Sequence, residues 1–259
     1  MYPATRWLKK SGRDSKNMKR TLVIGDIHGG LRALRQVLER AQVQHDDTLI
    51  FLGDYVDGWS ESAQVIEFLI QLSSQQSCLF MKGNHDMWCE NWLDNGLAPH
   101  VWLMHGGSST AESYRFLDMT TRRKHLDFFN QLKSYHIDAQ NRLFVHAGFA
   151  SIHGPEDEHD DSNFLWDRTL WETALTMERR SRQDDGMMPK RLKLFREIFI
   201  GHTPTLNYNL DVPMHASTVW NIDTGAAFYG KLSIMDIDTK EFWQSDTVQR
   251  LYPDEKGRN

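Results

Sequence analysis

Five short apolar runs in this chain each end in a glycine-flanked block that carries Asp, His or Asn. The blocks are Gly25-Asp26-Ile27-His28-Gly29, Gly53-Asp54-Tyr55-Val56-Asp57, Gly83-Asn84-His85-Asp86, His146-Ala147-Gly148 and Gly201-His202-Thr203. The apolar runs have the length and the flanking glycines of buried β-strands. Because α/β proteins build their sites where strands end at one edge of a sheet, we expect these polar side chains to converge.

The first third of the chain alternates between predicted strands and predicted helices. Strands at 21–24, 48–52 and 78–81 are separated by apolar residues at helical spacing, at 31–41 and 63–72. Ser60 stands at the expected N-cap of the second helix. This β-α-β-α-β order predicts parallel strands joined by right-handed crossovers.

The remainder of the chain contains both element types. We predict a mostly helical region at 87–133, a hairpin turning at 140–141 whose second strand leads to His146, and a helix at 169–182. Further strands are predicted at 197–200, 219–222, 232–237 and 242–243.

The length of 259 residues favours one large domain, which we place at 18–259. Residues 1–17 are polar and basic, lack the apolar stretch of a secretory signal, and are expected to be a disordered leader. Two cysteines, Cys78 and Cys89, give no disulfide framework and favour the cytoplasm. The net charge of −5 argues against a nucleic acid polymer as partner, and no apolar run is long enough to span a membrane. The oligomeric state stays open.

The polar residues of the blocks form a ligand set suited to two divalent metals. Asp26 and His28 are two residues apart, so in an extended segment their side chains point the same way. Asp54 has two oxygens and can bridge two cations, about 3.5–4 Å apart in such sites. Asn84, His146 and His202 complete the second position. Oxygen and imidazole ligands without thiolate suit Mn²⁺, Fe, Zn²⁺ or Mg²⁺, and the pattern predicts a metal-dependent phosphoester hydrolase.

The blocks resemble the signature motifs of the phosphoprotein phosphatase family of calcineurin-like metallophosphoesterases, in its bacterial and phage-type branch. Trp102-Leu103-Met104-His105-Gly106-Gly107, Leu165-Trp166-Asp167-Arg168 and Asn221-Ile222-Asp223-Thr224-Gly225-Ala226 extend the resemblance. It implies an α/β fold, a four-layer αββα sandwich with two mixed β-sheets, and a dinuclear site for which Mn²⁺ is the expected metal.

The resemblance also implies a role for each matching residue. Asp26, His28 and Asp54 correspond to ligands of the first metal, and Asp54, Asn84, His146 and His202 to ligands of the second. His85 corresponds to the acid that protonates the leaving group, and Asp57 to the carboxylate that orients it and favours the imidazolium form. Arg168 corresponds to an arginine that binds phosphoryl oxygens. We expect His105 to have a structural role and the tryptophans to serve mainly in core packing.

One block departs from the family pattern. Gly58 stands where the family usually has an arginine, and Trp59 where it has a glycine. A phosphate contact is therefore missing, for which Arg168 or another arginine could compensate. Alternatively, the site has been widened for a different substrate, with Trp59 as an aromatic surface.

The expected activity is that of a serine/threonine protein phosphatase, or of a dual-specificity phosphatase that also accepts phosphotyrosine. In the expected mechanism, a metal-bridging hydroxide attacks phosphorus. The substrate would be a phosphorylated protein or a small phosphoester. The alternative is a hydrolase of symmetrical diadenosine tetraphosphate or related nucleotides. A non-catalytic scaffold is disfavoured because every expected ligand and the acid are present.

Overall fold

A computed structural model describes residues 19–179 and 188–259. The basic leader predicted at 1–17 and the end of the helix predicted to reach residue 182 lie outside the described residues. The strands are β1 (Thr21–Ile24), β2 (Thr48–Phe51), β3 (Ser77–Phe80), β4 (Tyr135–Ile137), β5 (Arg142–Val145), β6 (Glu197–Ile200), β7 (Met214–Ala216), β8 (Val219–Asn221), β9 (Ser233–Asp236) and β10 (Phe242–Gln244). The α-helices are α1 (Leu31–Arg40), α2 (Ser62–Ser73), α3 (Asn84–Asn95), α4 (His100–Trp102), α5 (Ser108–Ser113), α6 (Met119–Phe129), α7 (Asn163–Trp166), α8 (Thr169–Arg179), α9 (Lys190–Lys193) and α10 (Val248–Leu251).

The first sheet has the strand order β10-β9-β1-β2-β3. Strands β1, β2 and β3 run parallel, with Val23 opposite Ile50 and Ile50 opposite Leu79. Strands β9 and β10 are antiparallel to their neighbours. The parallel β-α-β-α-β opening is therefore confirmed, and it brings the three blocks that follow β1, β2 and β3 to one edge of this sheet.

The second sheet has the order β4-β5-β6-β8-β7. Strands β5, β6 and β8 are parallel, while β4 and β7 pair antiparallel at the two edges. Both sheets are therefore mixed, as expected. The parallel strands β5 and β6 end immediately before His146 and near His202, so the second sheet delivers the two later blocks.

Three apolar cores show how the layers are stacked. The first core joins the outer face of the first sheet to α1 and α2, with Leu34 and Phe51 fully buried. The second core joins the second sheet to α8 and α9, through residues such as Trp171 and Leu192. The third core lies between the sheets, where Val23 of the first shares a cluster with members of the second. This arrangement of helix, sheet, sheet and helix is the expected αββα sandwich.

Several local features differ from the predictions. Strand β7 and the short helices α7, α9 and α10 were missed, because elements of three or four residues are too short to show a periodic pattern. Ser60 is not the N-cap of α2, which begins at Ser62 with Glu61 at the cap position and no side-chain cap hydrogen bond. The Ser60 amide and hydroxyl instead donate to Glu255, at 2.9 and 2.6 Å.

Among the described residues, no helix combines the length and the apolar character that crossing a bilayer requires.

Candidate active site

Six side chains from the ends of five strands meet between the two sheets, and we refer to them as the cradle: Asp26, His28, Asp54, Asn84, His146 and His202. All six are buried, with exposed fractions from 0% for His146 to 9% for His202. The first sheet contributes four of them and the second sheet two. The convergence expected from the sequence is therefore observed.

Asp54 lies at the centre of the cradle. Its Oδ2 atom is 3.6 Å from Nε2 of His28 and 3.5 Å from Nε2 of His146. Two side-chain groups able to hold a metal ion share it, one with His28 and His85 and one with His146 and His202, and the ligand atoms of each lie within 4.8 Å of one another. A carboxylate common to both groups would be the residue able to contact two ions.

Asp26 and Asn84 complete the cradle from its two ends. The Oδ2 atom of Asp26 is 3.9 Å from Nε2 of His28 and accepts a hydrogen bond from the His202 amide at 3.0 Å. The Oδ1 atom of Asn84 is 3.1 Å from Nε2 of His146 and 2.9 Å from Nδ1 of His202. The first of the two groups contains His85 and not Asp26. By distance alone, His85 could therefore take the place of Asp26 as a ligand of the first metal.

The hydrogen bonds of two cradle histidines test whether the residues fit a cation. Nδ1 of His28 lies 2.9 Å from the Asp57 carbonyl oxygen, and Nδ1 of His146 lies 2.8 Å from the Leu52 carbonyl oxygen. Because a carbonyl only accepts, each Nδ1 must donate, and burial lowers the pKa of both rings so that Nε2 carries a lone pair. These lone pairs face the carboxylate of Asp54.

Nitrogen lone pairs that face a carboxylate repel it, so this arrangement costs free energy unless a positive charge lies between the groups. Metal-binding histidines commonly donate their second nitrogen to a backbone carbonyl in this way. Burial also raises the pKa of Asp54 to about 7 and holds that of Asp26 well above its ordinary value. The donor set of the cradle therefore fits divalent metal ions.

Two glycines in the blocks are required by close contacts with cradle oxygens. A Cβ atom on Gly83 would lie 2.1 Å from Oδ1 of Asp54, and one on Gly201 would lie 2.1 Å from Oδ1 of Asp26. Any larger residue would displace a carboxylate. The backbone is also unusual at several site residues, since φ is positive at His28 (52°), Asp54 (52°), Asp57 (70°) and His202 (64°). Non-glycine residues rarely adopt this conformation outside functional or tightly constrained positions.

His85 and Asp57 form a buried pair beside the cradle. Nδ1 of His85 is 2.7 Å from Oδ2 of Asp57. The carboxylate also accepts hydrogen bonds from Trp102 Nε1 and Thr110 Oγ1, each at 2.7 Å. As a carboxylate with three donors, Asp57 holds the proton of His85 on Nδ1, which leaves Nε2 free.

Trp102 and Thr110 are site residues that the sequence analysis missed. Trp102 had been attributed to core packing, and neither residue has a local signal, because they lie 45 and 53 positions beyond Asp57. They belong to the helical segment after α3, and only its packing against the first sheet brings them to Asp57.

The pKa of His85 differs from the expectation of a charged imidazolium. Burial lowers this pKa well below its ordinary value, and the positive charge of Arg258 adds to the effect. Burial likewise raises the pKa of Asp57 to about 7. In the metal-free protein the His85 ring is therefore neutral.

Asp86 has no role in the sequence analysis, although it closes the Gly-Asn-His-Asp block. One of its oxygens accepts hydrogen bonds from the amides of Asp54 and Gly83, at 2.7 and 2.8 Å. The other accepts from the Tyr55 amide at 2.8 Å. This buried carboxylate fastens two neighbouring blocks together and so fixes where Asp54 lies.

Arg168 lies at the outer side of the cradle. Its Nε atom points at Nε2 of His202 from 3.5 Å, and its side chain is exposed. The preceding residue, Asp167, accepts hydrogen bonds from the amides of Thr169 and Leu170 and so anchors the start of α8. This places a guanidinium at the cradle, where a phosphate-binding residue is expected from the sequence.

Trp59 does not provide the suggested aromatic surface, and that interpretation is wrong. The side chain is fully buried, its Nε1 donates to the Ala226 carbonyl oxygen at 2.7 Å, and its ring stacks on Tyr252 at 5.3 Å. The large volume of the indole is accommodated by the C-terminal segment.

Two other tryptophans, Trp88 and Trp166, lie at the opening of the cradle and form, with Arg168, what we call the rim. The Trp88 ring is 5.1 Å from the His85 ring and 5.1 Å from the Trp166 ring. Trp166 is 39% exposed and lies 6.0 Å from the His202 ring. His105, also exposed, stacks on Trp88 at 6.2 Å, and this contact agrees with the expected supporting role.

Comparisons with known proteins agree with this geometry. The sequence profile of the family described as calcineurin-like phosphoesterase matches residues 19–225. A protein of Oceanobacillus iheyensis named bis(5'-nucleosyl)-tetraphosphatase PrpE (asymmetrical) is 27% identical over 235 residues, which are 85% of this chain and 89% of that protein.

Solved structures share the fold at lower sequence identity. A protein serine/threonine phosphatase from Saccharomyces cerevisiae superimposes with a TM-score of 0.62 at 15% identity, covering 95% of this chain and 84% of that one. A metallophosphoesterase from Sphaerobacter thermophilus gives a TM-score of 0.53 at 19% identity, covering 90% and 94%. With the family profile matched over most of its length, the chain belongs to the calcineurin-like phosphoesterase family and is a metallophosphoesterase.

Proposed function

We propose that this enzyme hydrolyses bis(5'-nucleosyl) tetraphosphates. The observation that carries the proposal is the pair of tryptophans at the rim, with Trp166 39% exposed and Trp88 directly beside His85. Aromatic faces stack on nucleobases, whereas a phosphoserine side chain offers nothing to stack. Relatives such as the Oceanobacillus iheyensis protein bear this activity in their name.

The expectation of a protein phosphatase has less support. Its structural counterpart in yeast is 15% identical, a level at which the likeness concerns the fold alone. The cradle, the His85–Asp57 pair and Arg168 serve either substrate equally. The rim therefore favours the alternative of the sequence analysis over its first interpretation.

Family membership and the two side-chain groups that share Asp54 imply divalent metal ions at the cradle. We assign Asp26, His28 and Asp54 to one ion, and Asp54, Asn84, His146 and His202 to the other. Oxygen and imidazole ligands without thiolate suit Mn²⁺, Fe, Zn²⁺ or Mg²⁺, and the resemblance to the phosphoprotein phosphatases makes Mn²⁺ the first choice. Bound ions of this kind supply Lewis-acid stabilisation of phosphoryl charge and activation of the attacking water.

The chain's own residues provide positioning and proton transfer. Asp57 keeps a proton on Nδ1 of His85, so Nε2 faces the substrate. A polyphosphate in the cradle would place negative charge beside His85 and raise the pKa that burial lowers. A His85 ring protonated in this way would give its Nε2 proton to the departing oxygen. Arg168 binds a phosphoryl oxygen from the His202 side.

Product analysis tests this proposal. Protein loaded with Mn²⁺ is given diadenosine tetraphosphate and a phosphoserine peptide at equal concentration. We expect faster cleavage of the dinucleotide, with release of ATP and AMP, as the word asymmetrical in the relatives' name indicates. Two molecules of ADP would support the symmetrical cleavage considered from the sequence. Faster cleavage of the peptide would overturn the proposal in favour of a protein phosphatase.

The rim can be tested separately with Trp166→Ala. Loss of a stacking ring typically costs about 1–3 kcal/mol per base, so the KM for the dinucleotide should rise roughly tenfold or more. Hydrolysis of a small phosphomonoester without a base should change little. Phe116→Ala is a matched control, since it also removes an exposed aromatic ring: Phe116 is 89% exposed and packs against the neighbouring Arg115. Equal effects of Trp166→Ala on both substrates would show that Trp166 does not bind the base.

Two proposals concern the chain as a whole. We retain a single domain at 18–259 and a cytoplasmic location, the latter supported by Cys78 and Cys89, both free thiols. Limited proteolysis and fractionation of cells expressing the protein would test them.

A further inference from the structure

The C-terminal segment returns to the active site and is anchored there by several contacts. Tyr252 stacks on the buried Trp59 ring at 5.3 Å, and the Glu255 carboxylate accepts two hydrogen bonds from Ser60. Closer to the end, the Arg258 amide donates to the Ala227 carbonyl oxygen at 2.9 Å. The position of Arg258 is therefore set by contacts on both sides of the segment.

The side chain of Arg258 lies across two glycines beside the cradle. A Cβ atom on Gly58 would lie 3.4 Å from Cγ of Arg258, and one on Gly106 would lie 3.2 Å from the same atom. The Gly58 position also borders His28, whose Cβ would be 3.5 Å from a Cβ at Gly58. Arg258 thus occupies the space into which a side chain at position 58 would extend.

Within the part of the chain that the structure describes, the guanidinium of Arg258 has no anionic partner. Its Cζ atom lies 5.3 Å from the centre of the Phe228 ring. Among residues 19–179 and 188–259, it makes neither a salt bridge nor a side-chain hydrogen bond. A half-buried cation without a counter-ion is unfavourable, so the arrangement favours an anion that arrives from outside the chain.

The two arginines lie at different ends of the cradle. A Cβ atom at Gly58, which borders His28, would be 3.4 Å from Cγ of Arg258. Nε of Arg168 lies 3.5 Å from Nε2 of His202.

We propose that Arg258 is a phosphate-binding residue, which binds a phosphoryl oxygen of the substrate at the His28 end of the cradle while Arg168 binds at the His202 end. The inference rests on the proposed phosphoester hydrolysis and deepens it. The C-terminal segment supplies the guanidinium that position 58 lacks. A planar guanidinium offers two parallel donors to a phosphate, which a lysine cannot reproduce.

The test compares Arg258→Ala and Arg258→Lys with the wild-type chain, all loaded with Mn²⁺. Binding of inorganic phosphate is measured as a competitive inhibition constant and by calorimetry, together with kcat/KM for a small phosphomonoester. Loss of a charge-assisted contact should weaken phosphate binding and lower kcat/KM by about tenfold to a hundredfold in Arg258→Ala, and by less in Arg258→Lys. Added guanidinium ion should restore part of the activity of Arg258→Ala and none to the wild type.

Lys256→Ala is the matched control, because Lys256 is an exposed cation of the same segment. It should leave phosphate binding and kcat/KM within about twofold of the wild type. Phosphate binding and kcat/KM unchanged in Arg258→Ala would overturn the inference, and so would a lowered melting temperature without a change in phosphate affinity, which marks a structural role.

Failure of the proposed function gives a different result. If the metal-loaded wild type cleaves a phosphomonoester but no dinucleotide, the substrate proposal fails while the comparison of Arg258 variants stands. If the wild type cleaves no phosphoester, calorimetry with inorganic phosphate still compares the variants, and equal affinity in wild type and Arg258→Ala would reject the role of Arg258.

Discussion

The cradle residues are at most 9% exposed and are held by several backbone contacts, whereas Trp166 at the rim is 39% exposed and Arg168 has one long hydrogen bond, to His202. In the cradle, His28 and His146 are oriented by carbonyl oxygens, and Asp86 fastens the loop of Asp54. Ligands for a metal must keep fixed distances, and a rigid, buried setting provides this. Residues that meet a substrate can tolerate more freedom.

Under the roles proposed above, metal binding and substrate choice are separable: the cradle holds the metals, and the rim with Arg258 selects the phosphoester. Four substitutions or conditions, in order of decreasing expected effect, test that separation.

The largest effect is expected for Asp54→Asn. Because Oδ2 of Asp54 is within 3.6 Å of both His28 and His146, one change weakens both groups. Loss of several kcal/mol of charge stabilisation corresponds to a fall in kcat of roughly a thousandfold or more. Metal content by plasma mass spectrometry should fall with it. Asp246→Asn, at an exposed carboxylate, is the control, and full metal content in Asp54→Asn would contradict the central role of Asp54.

His85→Asn should lower kcat by about a hundredfold to ten-thousandfold, as expected for loss of a general acid. Metal content should be retained if Asp26 and not His85 completes the first group. His105→Asn, at an exposed ring stacked on Trp88, should have little effect. A loss of one metal equivalent in His85→Asn would instead make His85 a ligand, as its place in the compact group allows.

Trp102→Phe removes one of the three hydrogen bonds to Asp57. A hydrogen bond to a charged group is worth about 1.5–3 kcal/mol, so kcat should fall roughly tenfold with KM unchanged. The Trp102 contact lowers the pKa of Asp57, so the limb of the pH–rate profile that reports this carboxyl should move to higher pH. Trp92→Phe is the control, since its ring packs on Trp102 without reaching Asp57. If the pH–rate profile of Trp102→Phe does not shift, the role of Trp102 is one of packing alone.

The smallest effect concerns the stability of metal-free protein between pH 6.5 and 8. Burial raises the pKa of Asp54 and Asp57 from 3.8 to about 7, so the folded state binds more protons than the unfolded state and loses stability as pH rises through this range. The buried histidines have a lowered pKa and act in the opposite direction, with a contribution that fades as the pH rises above about 6.5.

The melting temperature of protein treated with a chelator should therefore fall from pH 6.5 to pH 8. In Asp57→Asn the melting temperature should fall less over the same pH range. Added Mn²⁺ should abolish or reverse the fall, because metal ligands must be deprotonated to bind. A melting temperature that rises over this range without metal would show that the cradle carboxyls are charged in the folded protein.

The sequence determined most of the cradle. Each candidate ligand directly follows a strand that is readable from its apolar run, and glycines mark where a Cβ would meet a carboxylate, as at Gly83 and Gly201. These are local relationships within a few residues. The parallel β-α-β order then requires that the first three blocks share one edge of the first sheet, whereas the meeting with His146 and His202 depends on how the second sheet packs on the first.

Tertiary structure alone decided the surroundings of the cradle. Trp102 and Thr110 reach Asp57 across 45 and 53 residues, and Arg258 reaches Gly58 from the C-terminal end of the chain. Trp59, which in sequence could have faced the substrate, is buried because Tyr252 covers it. No local pattern encodes such contacts, since they depend on how segments far apart in the chain pack against one another. The metal chemistry could therefore be inferred from motifs, whereas the partners of Asp57 and the second arginine required the fold.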